Sequence, residues 1–165
     1  SLDIVSENNI EYEVGLVTVD SVDPKIYSSL KDISQTWNSD DLKDALNWSD
    51  MCIAASGTVT LATGLFEVPT VVAYKLSLMT EFILGFFLKY KGYISLTNIV
   101  HQKMLFPEFT QYQADRYNIA REIINWSTNE NEYNEVVTEL KKTKDLLLGD
   151  DFSVPEYMAK VINND

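Results

Sequence analysis

Ala54-Ala55-Ser56-Gly57-Thr58 is the segment of this 165-residue chain whose residue types and spacing best suit ligand chemistry. Met51 to Ala55 is a continuous apolar run that reads as a fully buried parallel strand, and Ser56 opens a helix. Unpaired backbone N–H groups and the positive end of the helix dipole therefore converge on one point at the carboxyl edge of a sheet. That point suits a phosphate. Gly57 lets a ligand approach the backbone, and the hydroxyls of Ser56 and Thr58 either cap the helix or bond phosphate oxygens. Taken alone, Ser-Gly-Thr is more simply an ordinary cap, because Ser and Thr are favoured there in any helix.

Other candidates are weaker. Asn98 follows a predicted short strand, Tyr93 to Leu96, and so falls near the same sheet edge, where its amide could read a sugar or a uracil. Asn is also a favoured helix cap. His101 is the only histidine, and no Cys or carboxylate stands at a metal-ligand spacing from it. Cys52 is the only cysteine, which excludes an internal disulfide; inside its apolar run it reads as a small buried hydrophobe, consistent with a reducing cytoplasm. No nucleophile elbow, Walker loop or Gly-x-Gly-x-x-Gly is present. No catalytic residue, metal site or cofactor is expected from these residues.

The elements that must position these residues alternate. Ile10 to Val19 reads as a strand, and Asp23-Pro24 starts a helix through Ile33. Asp40 caps a helix from Asp41 to Trp48, which leads into the strand at Met51. A helix from Ser56 to about Phe66 and a second buried strand, Thr70 to Tyr74, complete a βαβ unit. Leu78 to Lys89 reads as a helix, and after Gln111 the pattern is helical to the end, with Tyr117, Ala120, Ile123 and Ile124 on one apolar stripe. The expected fold is α/β, one three-layer Rossmann-like domain over 1–165 with a mostly parallel sheet and a helical tail over 112–165.

Composition narrows the partners. Thirteen basic against twenty-five acidic residues give a net charge of -12, which excludes a phosphate-neutralising nucleic-acid face. The longest apolar run, Leu76 to Leu88, is broken by Glu81 and is shorter than the ~20 residues of a spanning helix. Met79, Phe82, Ile83, Phe86 and Phe87 with Lys89 and Lys91 form either a core helix or one lying at a membrane surface; Glu81 and Gly85 leave no clean polar face and favour the core.

From about Asp41 to Gln111 the chain resembles the lipid-A-disaccharide synthase family. The resemblance runs through Ser49-Asp50, Ala54 to Thr58, Pro69-Thr70-Val71-Val72-Ala73-Tyr74-Lys75, Tyr93-Ile94-Ser95-Leu96-Thr97-Asn98 and Pro107-Glu108-Phe109 with Gln111. It implies a GT-B glycosyltransferase of two Rossmann-like halves, this chain being the carboxyl-terminal, donor-binding half. The implied ligand is UDP-2,3-diacylglucosamine. Ser56, Gly57 and Thr58 would line its diphosphate and Asn98 would help hold it, with Tyr74, Lys75 and Gln111 as weaker carry-overs.

The resemblance also implies a cytoplasmic protein peripheral to the inner membrane of a Gram-negative bacterium, touching lipid through Phe86 and Phe87. Departures from the family pattern are Ala62 for a glutamate, Thr97 for a proline, and Gln102-Lys103 for Gly-Arg. The family's Gly-Ser-Arg strand and its acceptor-binding half, with the catalytic carboxylate, are not in the chain, and Ser1 to Asn9 reads as the last turns of a helix. The expectation is donor binding without activity in isolation; the alternative is a noncatalytic membrane-surface or interaction module that keeps the fold.

Overall fold

The computed structural model describes residues 1–28, 30, 32–55, 57–75 and 92–148. The elements are α1 (Leu2–Glu7), β1 (Gly15–Thr18), α2 (Pro24–Tyr27), β2 (Gln35–Asn38), α3 (Leu42–Trp48), β3 (Cys52–Ala54), α4 (Thr58–Leu65) and β4 (Thr70–Tyr74). They are followed by α5 (Leu96–His101), β5 (Glu108–Thr110), α6 (Arg116–Thr128), α7 (Glu130–Leu140) and α8 (Thr143–Leu148). α2 and α6 start where a side chain satisfies the first free N–H groups, whereas α1, α3 and α4 start without a side-chain cap. Asp23 accepts from Lys25 N at 2.9 Å ahead of Pro24, and Asp115 accepts from Tyr117 N and Asn118 N at 2.8 and 2.9 Å.

All strand pairs among the described residues are parallel, as α/β alternation requires. Among the described residues the strands form two groups, β1 with β2 and β3-β4-β5. The register sets Ala54 beside Val72, Val72 beside Glu108, and Tyr74 beside Thr110. β4 is the central, most deeply buried strand, with Val71 and Val72 at 0% and 1% exposure. Val72, Leu105, Phe106 and Leu140 form the core cluster, and Val136 of α7 packs against it. Burial of such side chains is worth about 1.5–3 kcal/mol each. α1 packs on α6 and buries Val5.

At the first sheet, Gly15 makes room for two indoles. Trp37 and Trp48 meet at 5.3 Å with their planes tilted by 54°, and a Cβ on Gly15 would lie 2.6 Å from one ring and 2.8 Å from the other. Glycine is required here by close approach.

Four expectations are corrected. The segment Tyr93 to Leu96 is no strand: Ser95 instead caps α5, accepting from Asn98 N at 3.3 Å, because a hydroxyl followed by helix formers competes successfully with a two-residue β signal. β2 and β5 appear where no strand was expected, since Gln35–Asn38 is polar and Glu108–Thr110 has three residues whose pairing to β4 supplies what local pattern lacks. β3 is not fully buried; as the outer strand of its group it leaves Ile53 43% exposed. On α6 the buried residues are Ala120 and Trp126, whereas Tyr117 is 61% exposed. The expected helix Leu78 to Lys89, with Phe86 and Phe87, lies outside the described residues, and among those described no helix is long and apolar enough to cross a membrane.

Candidate functional site

Three adjacent parallel strands deliver the candidate residues to one edge. Gly57 and Thr58 follow β3, Tyr74 ends β4 with Lys75 directly after it, and Gln111 directly follows β5. This is the carboxyl edge of the sheet, where open α/β folds bind ligands. Gly57 and Thr58 are exposed, Lys75 is exposed without an ion pair among the described residues, and Tyr74 and Gln111 are half-buried. Ser56 lies outside the described residues.

Gly57 has φ +124° and ψ −161°, a region open essentially only to glycine, and an added Cβ would meet nothing within 4 Å. Conformation, not crowding, demands glycine there, and the open side leaves its backbone accessible at the amino end of α4. Gln111 also holds a left-handed backbone, φ +52°. Its Nε2 is buried and donates to no protein acceptor among the described residues. A buried unused donor at this edge is a group that a ligand oxygen would satisfy.

Asn98 has a different set of partners from the ligand expected for it. It is fully buried. Nδ2 donates to Phe106 O at 2.8 Å and to Glu108 Oε1 at 2.9 Å, while Oδ1 accepts from Leu105 N at 2.8 Å and Phe106 N at 2.9 Å. Both amide hydrogens and both oxygen lone pairs are thus used internally. Asn98 anchors the turn that leads into β5.

Glu108, named in the resemblance without a role, and Thr60, not singled out in the sequence, hold the elements behind this edge together. The Glu108 carboxylate accepts from Ile94 N at 2.9 Å and Ser95 N at 2.7 Å, placing negative charge at the amino end of α5. Thr60, also fully buried, donates through Oγ1 to Gly57 O at 2.7 Å and accepts there from Leu96 N at 3.0 Å. Its carbonyl accepts from Thr97 Oγ1 at 2.5 Å and Thr63 Oγ1 at 3.0 Å. The available signal was a polar and small stripe, Thr60, Thr63 and Gly64, on one side of an otherwise apolar helix. That stripe allows close packing: a Cβ on Gly64 would lie 2.3 Å from Thr97 Oγ1.

The remaining titratable candidates are structural. Burial pushes the Cys52 thiol up to about 11, which leaves it protonated and unreactive at neutral pH. His101 ends α5 and meets α8, with Nε2 2.9 Å from Thr143 Oγ1. That hydroxyl spends its proton on Leu140 O at 2.6 Å, so the histidine must be the donor and Nε2 carries hydrogen. Burial lowers its pKa, opposed by Glu139 and reinforced by Lys142 and Lys103. No group of three or more His, Cys, Asp or Glu able to hold a metal occurs among the described residues.

An α/β domain whose parallel strands carry a glycine turn, a lysine without an ion pair among the described residues and an unspent amide to one edge is of the Rossmann-like class. The chain belongs to the lipid-A-disaccharide synthetase family, whose model matches residues 8–162. It is 32% identical over 133 residues to lipid-A-disaccharide synthase 1 of Legionella pneumophila (strain Lens), covering 81% of this chain and 34% of that protein. It is 34% identical over 118 residues to the lipid-A-disaccharide synthase of Rickettsia typhi, covering 71% and 31%, and 39% identical over 87 residues to that of Cellvibrio japonicus, covering 53% and 22%. The chain therefore spans about a third of the length, or less, of these relatives.

Proposed function

We propose that this chain is the donor-binding, carboxyl-terminal part of a lipid-A-disaccharide synthase, taking the diphosphate of UDP-2,3-diacylglucosamine at the Gly57 turn. The observation that carries this reading is the convergence of Gly57-Thr58, Lys75 and Gln111 at the carboxyl edge of β3, β4 and β5. The amino end of α4 supplies N–H donors and the favourable end of a dipole, Lys75 supplies a point charge, and Gln111 Nε2 supplies a fixed donor. Asn98 supports the site from behind through Glu108 and α5.

In the reaction, the acceptor hydroxyl needs a general base, and none of these residues is placed to serve. The acceptor and its base belong on the other half of the enzyme, so the chain alone binds donor without turning it over. A noncatalytic surface module is the reading that Ala62 favours: on α4, one turn beyond Thr58, it offers no carboxylate to a ribose. A turnover assay with UDP-2,3-diacylglucosamine and 2,3-diacylglucosamine 1-phosphate tests the assignment. The isolated chain is expected to give no disaccharide, and the chain combined with an acceptor-binding half from a relative is expected to give it. Product from the chain alone would refute the half-enzyme reading, and inactivity of the combination would favour the noncatalytic module.

A further inference from the structure

We infer that Thr60 is a positioning residue for the Gly57 turn, and that it ties the geometry of this turn to α5 and, through Glu108, to β5. The inference rests on the reading of that turn as a diphosphate site. Its substance is a continuous hydrogen-bonded path. Glu108, at the start of β5, receives the N–H groups of Ile94 and Ser95. Leu96 N, next in the chain, donates to Thr60 Oγ1 at 3.0 Å, and Thr60 Oγ1 donates to Gly57 O at 2.7 Å. Thr97 Oγ1 closes the path by donating to Thr60 O.

Each link is directional. A hydroxyl has one proton, and here it is committed to Gly57 O because Leu96 N can only donate. The peptide plane after Gly57, at a residue whose φ is +124°, is thereby held by the first turn of α4 through a hydroxyl that is itself held from outside the helix by Leu96 N. Thr60 is fully buried and reaches no solvent, so water cannot replace the hydroxyl if it is removed. Gly64, which admits Thr97 to within contact of α4, keeps the two helices close enough for the path to exist. A diphosphate gripped by N–H groups at the amino end of α4 would feel the tilt of that peptide plane. A nucleotide with a single phosphate, reaching fewer of those donors, would feel it less.

Thr60→Val keeps shape and removes the hydroxyl; Thr60→Ser keeps the hydroxyl and removes a methyl. UDP and UMP are titrated against wild type and both variants by amide NMR. Thr60→Val is expected to shift the Thr58 amide, which shares its peptide plane with Gly57 O, and to weaken UDP by about fivefold to tenfold, with UMP changed by less than about twofold, as loss of one buried hydrogen bond allows. Thr60→Ser is expected to restore UDP binding. Equal weakening of UDP and UMP, or wild-type UDP affinity in Thr60→Val, would overturn the inference. Should Thr60→Val not fold, Glu108→Ala, which removes the acceptor of Ile94 N and Ser95 N at the other end of the path, is expected to show the same selective loss of UDP, and its absence would be equally decisive against it. A wild-type chain that binds no UDP would reject the nucleotide reading instead; the Thr58 amide shift in Thr60→Val then judges the path alone, an unchanged resonance counting against it.

Discussion

Asn98 Nδ2 and Glu108 Oε1 meet at 2.9 Å with the asparagine wholly buried, and every other polar valence of that amide is spent on Leu105 and Phe106. The pair fixes two things at once, the turn into β5 and the amino end of α5. Replacing Asn98 by Asp removes both donors and sets a second carboxylate against the first. Asn98→Asp is expected to cost about 2–4 kcal/mol in urea unfolding at neutral pH. Like charges raise carboxyl pKa values, so part of that loss should be recovered as the pH falls below about 5. A loss independent of pH would show that the two groups do not face each other.

Gly64 separates two opposing effects. In an exposed helix interior, alanine gains about 1 kcal/mol over glycine. Here the new Cβ would lie 2.3 Å from Thr97 Oγ1, whose hydroxyl is bonded to Thr60 O and whose side chain is branched at Cβ. Overpacking of this kind costs about 1–3 kcal/mol, so Gly64→Ala is expected to lower the Tm. A rise in Tm would mean that α4 and α5 part without cost.

The histidine makes a pH prediction. His101 has a pKa lowered from the usual 6.5, chiefly by burial. Its neutral form is favoured by folding, so its contribution to stability is present above about pH 6.5 and is lost as the pH falls toward the lowered folded value. His101→Gln is expected to flatten stability over this window, measured as urea midpoints at about pH 7.5 and 5.5. An unchanged slope would place the pH sensitivity elsewhere.

What could be read from the sequence followed from where the physical signal is local. Thr70–Tyr74 and Cys52–Ala54 were legible because apolar and β-branched residues run without interruption, and the turn at Gly57 was legible because strand and helix signals abut there. β5 was not legible: Glu108 reads as a polar loop residue until β4 is alongside it. The internal bonds of Asn98 were not legible, because its partners lie seven to ten residues further on, in a turn whose shape only the fold defines. Thr60 and Thr97, thirty-seven residues apart, became partners only when α4 and α5 packed.

The central claim is tested most directly by titrating the chain with UDP and following its assigned amide resonances. On the proposed reading, which places the acceptor side of the cleft on another part of the enzyme, weak binding near ~1 mM, or ~-4 kcal/mol, is expected. Shifts should concentrate at Gly57, Thr58, Lys75 and Gln111 and spare His101 and Tyr133. No shift at saturating UDP, or shifts confined to residues away from the carboxyl edge of β3, β4 and β5, would contradict the account.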